Sequence, residues 1–272
     1  MSIAIVTGGA SGIGRAIATS LVNRGDTVIV ADLNVAGAEK VADKLGTLNQ
    51  GRAIPAALDV TDVEAVADLY KGVKAEHGRL DLVFNNAGIS IGGAAEELTI
   101  DHWNRAIDIN LRGVVHGVHA AYPIMLEQGA GHIVNTASLA GLVPMPLGIP
   151  YTATKHAVVG LSLGLRAEAA GRGVKVSVVC PSFVDTPLLT NVNPDLPETS
   201  LSGDAKDDIK KAAPRLYTAE KLARDIMRGV RRNQALIVAP AHGRAAWRAV
   251  RLSPGGAVKV SAFAVNRIRG KS

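Results

Sequence analysis

The chain has 272 residues, 47% hydrophobic, 20% charged and 29 of them glycine, enough to bury a full core and unlike a disordered or collagen-like chain. The formal charge of +6 is uneven: residues 226–272 hold ten Lys and Arg and no Asp or Glu, leaving residues 1–225 at −4. An acidic body with only 3% aromatic residues disfavours a nucleic-acid partner, and a single cysteine, Cys180, excludes an intrachain disulfide and a cysteine-based zinc cluster.

Met1 leads directly into Ile3-Ala4-Ile5-Val6 without a basic, then long apolar, signal segment. No apolar run approaches the roughly 18 residues of a bilayer span. A reducing cytoplasm is the simplest compartment, no metal site is expected, and Cys180 reads as a buried strand residue.

Short β-rich apolar runs alternate with helical periodicity. The predicted strands are 3–7, 27–31, 53–58, 80–85, 132–136, 174–180 and 235–238; the predicted helices are 13–23, 35–45, 63–77, 100–126, 153–170 and 219–232. This rhythm predicts one α/β domain with a seven-stranded, doubly wound parallel sheet, its strands covered on both faces. Residues 187–214 interrupt it with four prolines and a polar stretch, and are expected to form a substrate lid after the sixth strand.

After the first strand comes Thr7-Gly8-Gly9-Ala10-Ser11-Gly12-Ile13-Gly14. A glycine turn between strand and helix lets backbone approach a pyrophosphate while the helix N-terminus faces the anion, so a dinucleotide fits there. The spacing meets the generic G-x-G-x-x-G fingerprint only approximately. The second strand runs to Asp32, whose carboxylate can accept ribose hydroxyls and repel a 2′-phosphate, favouring NAD over NADP; Arg15 near the loop works against that repulsion. Asp59-Val60 can flank an adenine, although Asp59 or Thr61 as a helix cap explains the position equally well.

Asn85-Asn86-Ala87-Gly88 closes the fourth strand on the ligand edge, where it also reads as an ordinary turn. Asn110, inside the predicted 100–126 helix, has poor helix propensity and needs some compensating bond. Ser138 ends the fifth strand on the same edge. Tyr151 and Lys155, four apart after Pro150, project from one helix face. An ammonium about 4 Å from a phenol contributes roughly 4 kcal/mol of gross attraction, which would ease its ionisation.

In this order the motifs resemble the short-chain dehydrogenase/reductase family, over roughly residues 1–240. The resemblance implies a single Rossmann-type domain, with 241–272 as a basic extension, assembled as a dimer or a homotetramer. It implies Tyr151 as general acid/base, Lys155 lowering its pKa and binding the nicotinamide ribose, Ser138 positioning the substrate oxygen, and Asn110 supporting a relay water. For the cofactor, NAD, it implies contacts from Gly8, Ser11, Gly12, Ile13, Gly14, Asp32, Leu33, Asp59, Val60, Asn86, Ala87, Gly88, Tyr151, Lys155, Pro181, Val184 and Thr186. Ser182 departs from the family, which often has glycine there.

The expected crevice walls, 89–93, 139–147 and Pro187-Leu188-Leu189, are apolar and uncharged, which suits a hydroxysteroid-like or lipid-like secondary alcohol or ketone. A 3-oxoacyl thioester reductase using NADPH is the alternative, and a nucleotide-sensing scaffold a third reading. The tail beyond residue 240 mixes cations with Trp247, Val258, Val260 and Phe263. It reads as a solvated extension, as a subunit arm, or as a contact with a membrane surface, divided at Pro254-Gly255-Gly256.

Overall fold

The protein was analysed as a computed structural model describing residues 1–48, 50–190, 193–201 and 216–269. Seven strands form one parallel sheet in the order β3-β2-β1-β4-β5-β6-β9: β1 (Ile3–Thr7), β2 (Thr27–Asp32), β3 (Arg52–Ala57), β4 (Leu82–Asn85), β5 (Gly131–Thr136), β6 (Val174–Pro181) and β9 (Leu236–Ala239). Side chains alternate between two buried faces. Ala4, Val6, Val28 and Val30 pack with α1 (Gly12–Val22), α2 (Val35–Gly46) and the later helix α7 (Ala219–Arg231). Ile3, Ile5, Ile29 and Ala31 pack with α3 (Val63–His77), α5 (Gly113–Gln128) and the end of α6 (Ile149–Glu168). With helices on both faces, the strands carry no solvent-facing polar set, so they read as continuous apolar runs.

Strand direction gathers Thr7, Asp32, Asn85, Thr136 and Pro181 along one edge. The strand order reverses between β1 and β4, which opens a crevice above their carboxyl ends.

Three elements differ from the sequence-based expectation by more than one residue. β4 starts at Leu82: the Leu80 N–H donates to Gln128 Oε1 (3.0 Å) instead of to a strand, and Asp81 makes the first backbone bonds to β1 and β5 while its Oδ2 accepts from the Ile3 N–H (2.8 Å). α6 begins at Ile149, with Pro150 in its first turn, where a missing N–H costs nothing. The predicted 100–126 helix is α4 (Ile100–Ile107), a π-helical turn at Asp108–Arg112 and α5.

The start of the expected lid is a short 3₁₀ turn at Pro187–Leu189, and residues 193–201 are described beyond it. The rest of that expectation, 191–192 and 202–214, lies outside the described residues. The segment is tied at its base by a two-residue parallel ladder, β7 (Val184–Asp185) with β8 (Tyr217–Thr218). The tail forms α8 (Ala241–Leu252) and α9 (Pro254–Arg269), parted at Ser253. Among the described residues no helix is long and apolar enough to cross a membrane.

Candidate active site

β1 passes into α1 through Gly8 at φ +65° and Gly12 at φ +49°, a left-handed backbone that glycine adopts without strain. A Cβ at Gly8 would lie 3.0 Å from the Ala87 Cα, so β4 closes directly onto the loop. At Gly14 a Cβ would strike the Gly8 carbonyl; only glycine lets α1 start this close to its own loop. Ser11 caps the helix with extended backbone and makes no side-chain cap bond. The first-turn N–H groups that follow, from Gly12 and Ile13, have no partner within the helix by geometry. This is a cradle for a phosphate-bearing group, and the residues present fit a dinucleotide.

Asp32 braces the cradle from β2. Its Oδ2 accepts from the Ala10 N–H and its Oδ1 from the Asn34 N–H, both at 2.9 Å. Asn34 in turn caps α2 through the Gly37 N–H at 3.0 Å. Beside Asp32, Leu33 is 70% exposed, an apolar side chain held out at the crevice edge.

Thr7 stitches the carboxyl ends of neighbouring strands together. Its hydroxyl oxygen accepts from the N–H groups of Asn86 (2.9 Å) and Ala87 (3.0 Å), and the Asn86 amide donates to the Thr7 carbonyl (3.0 Å). Thr136 on β5 donates to Asn86 Oδ1 at 3.3 Å. Thr7 appeared in the sequence only as the residue before the glycines; nothing in a single chain reveals a hydroxyl that bonds to a strand 80 positions away.

Tyr151, Lys155 and Ser138 come together at the switch point. Lys155 is buried, and its Nζ donates to the Thr136 carbonyl at 3.1 Å and lies 5.6 Å from the centre of the Tyr151 ring. A Cβ at Gly88 would lie 2.8 Å from Asn110 Oδ1, so the amide would have to shift, and 3.4 Å from Lys155 Nζ, at ordinary contact. Burial pushes the Lys155 ammonium down to about 8. The Tyr151 phenol is pushed above its ordinary value of 10, first by burial, while its hydrogen bond with Ser138 pulls the other way. In the protein alone burial is the larger influence on the phenol, and the hydrogen bond with Ser138 opposes it. The ammonium sits beside the ring and one of its protons is committed to Thr136. Ser138 also caps the 3₁₀ turn Leu139–Gly141, accepting from the Ala140 N–H at 3.1 Å.

Asn110 is fully buried in the π turn. Its side-chain oxygen accepts from the Ile89 N–H (2.9 Å) and its amide donates to the Ile89 carbonyl (3.0 Å), which fixes the chain just after Gly88. This pair is the compensation its helix propensity called for.

The two third-strand candidates are engaged locally. Asp59 accepts from the Thr61 N–H (2.8 Å) and hydroxyl (2.7 Å), and the cap of α3 is Asp62, through the Ala65 N–H at 2.9 Å, not Asp59 or Thr61. The Val60 carbonyl pairs with His116 Nδ1 at 2.9 Å. Both still lie at the carboxyl edge of the sheet. Pro181 ends β6, Val184 is buried, and Thr186 lies 3.2 Å from a Cβ placed at Gly12, so 184–186 cross above the glycine loop.

The expected walls need one revision. The 89–93 and 139–147 segments do meet, with the Gly93 N–H donating to the Leu147 carbonyl at 3.0 Å. Pro187, however, sits 3.7 Å from a Cβ at Gly12, on the phosphate side, and the segment that reaches the first wall is 193–201. Asn193 donates to the Ser90 carbonyl (2.9 Å), Thr199 to the Gly92 carbonyl (2.7 Å) and Ser200 to Glu97 (2.8 Å). His102 Nδ1 accepts from the Thr99 N–H at 3.1 Å, so its Nε2 carries the proton and donates to the Pro197 carbonyl at 3.1 Å. Sequence reading missed these clamps, which join residues 95 to 107 positions apart.

Residues 2–197 match the family described as short chain dehydrogenase. The chain is 40% identical over 192 residues to an uncharacterized oxidoreductase of Staphylococcus aureus (strain MW2), covering 71% of this chain and 82% of that protein. It is 38% identical over 189 residues to a cyclohexanol dehydrogenase of Acinetobacter sp. (strain SE19), covering 69% and 74%. A short chain dehydrogenase/reductase from Burkholderia phymatum, solved with NAD, superposes with a TM-score of 0.83 at 31% identity over 91% of this chain and 92% of that one. A short-chain dehydrogenase from Sphingobium yanoikuyae, solved with NADPH, shares the fold at a TM-score of 0.78 and 24% identity, covering 95% and 96%. A glycine cradle at the switch point, with a buried tyrosine and lysine and a half-buried serine beside it, thus agrees with the matched sequence: the chain is an oxidoreductase of the short-chain dehydrogenase/reductase family.

Proposed function

We propose that the protein transfers hydride between NAD(H) and an apolar secondary alcohol or its ketone, with Tyr151, Lys155, Ser138 and Asn110 as its catalytic group. The observation that carries this reading is the convergence of Tyr151, Ser138 and Lys155 beside the glycine cradle. Asp32 supports NAD, since its carboxylate ends β2 at the cradle and opposes a further phosphate on the ribose. The 89–93 and 139–147 walls carry no charged side chain, which supports an apolar substrate, as does the likeness to a cyclohexanol dehydrogenase.

When bound, the nicotinamide supplies the hydride acceptor or donor. The chain's own residues handle the proton. The Ser138 hydroxyl holds the substrate oxygen and the Tyr151 phenol. In oxidation Tyr151 takes the alcohol proton, and in reduction it returns a proton to the carbonyl oxygen. Its phenol, raised by burial, is a poor base until ionised, so oxidation gains with rising pH. Lys155, charged below about pH 8, favours the phenolate by its position next to the ring. Asn110 fixes the Ile89 backbone beside Gly88 and Lys155, and in this reading it supports a relay water.

The domain division follows the same reading: a dehydrogenase unit over 1–240 and an extension over 241–272, in the cytoplasm. Assembly into a dimer or tetramer is supported by an open face on α5 and α6. There Val115 and Leu163 are exposed, and added Cβ atoms at Gly160 and Gly164 meet nothing.

A panel of cyclic and aliphatic secondary alcohols, assayed with NAD and with NADP at the reduced-nicotinamide absorbance, tests the reading; turnover with NAD is expected to lead. Tyr151→Phe is expected to lower kcat by about 10²–10⁴-fold with the dissociation constant of NAD unchanged. Turnover by that variant at the parental rate would overturn the proton assignment.

A further inference from the structure

The hydride-transfer reading makes no use of the two helices that close the chain. α8 docks on the body by one side: Trp247 packs against the core cluster that includes Val158, Val178 and Val238, and Arg244 donates to the Val238 carbonyl at 2.9 Å. α9 rests on α8. Beyond Gly256, its half-covered positions Ala257, Ser261 and Val265 recur every four residues, the spacing of one helix side. Away from that side Val260 is 71% exposed and Phe263 70%, and Leu252 at the junction is 88% exposed.

Charge decides what covers this surface. The two helices carry Arg248, Arg251 and Lys259, all exposed, with the Arg251 guanidinium 5.6 Å from the centre of the Trp247 ring, and no Asp or Glu occurs after residue 225. A second copy of the same helix pair would bring like charges together, so an apolar interface between copies of this arm is opposed by its own cations. A bilayer with acidic headgroups offers an anionic layer directly above an apolar one, matching both features. With 16 residues, α9 is about 24 Å long, short of a span and suited to lying in the interface.

We propose that α8 and α9 form a docking arm for an anionic phospholipid surface, with Val260 and Phe263 entering the acyl boundary and the Arg and Lys side chains meeting headgroup phosphates. The arm is rooted at the crevice: a Cβ at Gly243 would lie 3.6 Å from both Leu139 and Ser182, and His242 Nε2 is 3.4 Å from the Ser182 hydroxyl. Attachment by this arm therefore brings the crevice rim to the lipid, where an apolar alcohol is concentrated. That consequence rests on the apolar-substrate reading; the attachment itself does not.

Sedimentation of the full chain with phosphatidylcholine vesicles, with and without phosphatidylglycerol and at low and high salt, tests the proposal. Binding is expected only with phosphatidylglycerol and is expected to fall as salt rises. The pair Val260→Asp and Phe263→Asp is expected to lower the partition coefficient at least about tenfold, and the pair Arg248→Gln and Lys259→Gln about tenfold, with alcohol oxidation in vesicle-free buffer unchanged in both. No sedimentation with phosphatidylglycerol vesicles, or equal sedimentation with phosphatidylcholine alone, would overturn it. So would a fall in solution mass of the aspartate variant without any vesicle binding by the parent, which would assign the arm to contact between copies. Loss of vesicle binding leaves the turnover assay intact, so failure of the arm and failure of the catalytic reading are separate results.

Discussion

A buried ammonium at Lys155 is costly, and the protein keeps it. Its ordinary value is 10.5 and burial brings it to about 8, so between these pH values the unfolded chain binds the extra proton and folding gains stability as pH rises. Below about pH 8 the full penalty applies, on the order of 3 kcal/mol. Lys155→Met is therefore expected to be more stable than the parent below pH 8 and to lose that advantage between pH 8 and 10.5, while its turnover collapses. Urea unfolding of both chains across this range measures the difference, in which other titrating groups cancel. A constant difference across the range would show that the ammonium is not held at a cost. The Tyr-x-x-x-Lys spacing was legible in sequence, but the dominant influence on the phenol was not, since burial depends on what packs around it.

At the scale of elements, the break between α4 and α5 shows how a local rule fails where a distant bond takes over. The residues 100–126 carry helical periodicity throughout, and only the asparagine at 110 signals trouble. The π turn rotates that amide toward Ile89, where it satisfies one backbone N–H and one carbonyl at once. Asn110→Ala leaves both Ile89 groups without their partner, at about 1–3 kcal/mol for each. The variant is expected to unfold at lower denaturant concentration and to show reduced kcat, because the loop that shapes the space beside Lys155 loses its anchor. Parental stability and kcat would show that the amide positions nothing.

A second example lies deeper, where Tyr70 donates to Asn85 and Asn85 donates to Asn135, which donates to Ser162 (3.2, 2.8 and 3.0 Å). This buried chain ties α3, β4, β5 and α6 together. A Cβ at Gly117 would strike the Asn85 side chain, so the glycine of α5 is what leaves room for it. Asn85 ends a strand beside Asn86, the residue expected to touch the cofactor, yet nothing local distinguishes the one asparagine from its neighbour.

Across the whole molecule, the far half of the sheet is linked by a histidine. His132 Nε2 donates to the Ser177 hydroxyl at 2.8 Å, and Ser177 donates to the Gln234 carbonyl at 2.6 Å, joining β5, β6 and the entry to β9. Burial, then the nearby Lys175 and Arg166 cations, lower the imidazole from 6.5 to about 4. On acidification the unfolded chain takes this proton first. The His132 contribution to stability is thus full above pH 6.5 and lost as pH falls toward 4, on the order of 3 kcal/mol. His132→Gln is expected to flatten the acid limb of a thermal-melting profile between those values, and an unchanged slope would remove His132 as its source.

Chain order and hydrophobic period by themselves determined the alternation of strands and helices, the parallel sheet, the glycine turn and the Tyr151–Lys155 pair, because each depends on residues near one another in sequence. Tertiary structure alone decided which side chains share the crevice: Thr7 with Ala87, Gly88 with Asn110 and Lys155, Thr186 over Gly12, His102 on Pro197. Those meetings arise from strand order and from the reversal between β1 and β4, which bring together residues up to 174 positions apart. Local propensity carries no record of such distances, and the free energy that fixes them comes from packing and pairing of the assembled sheet.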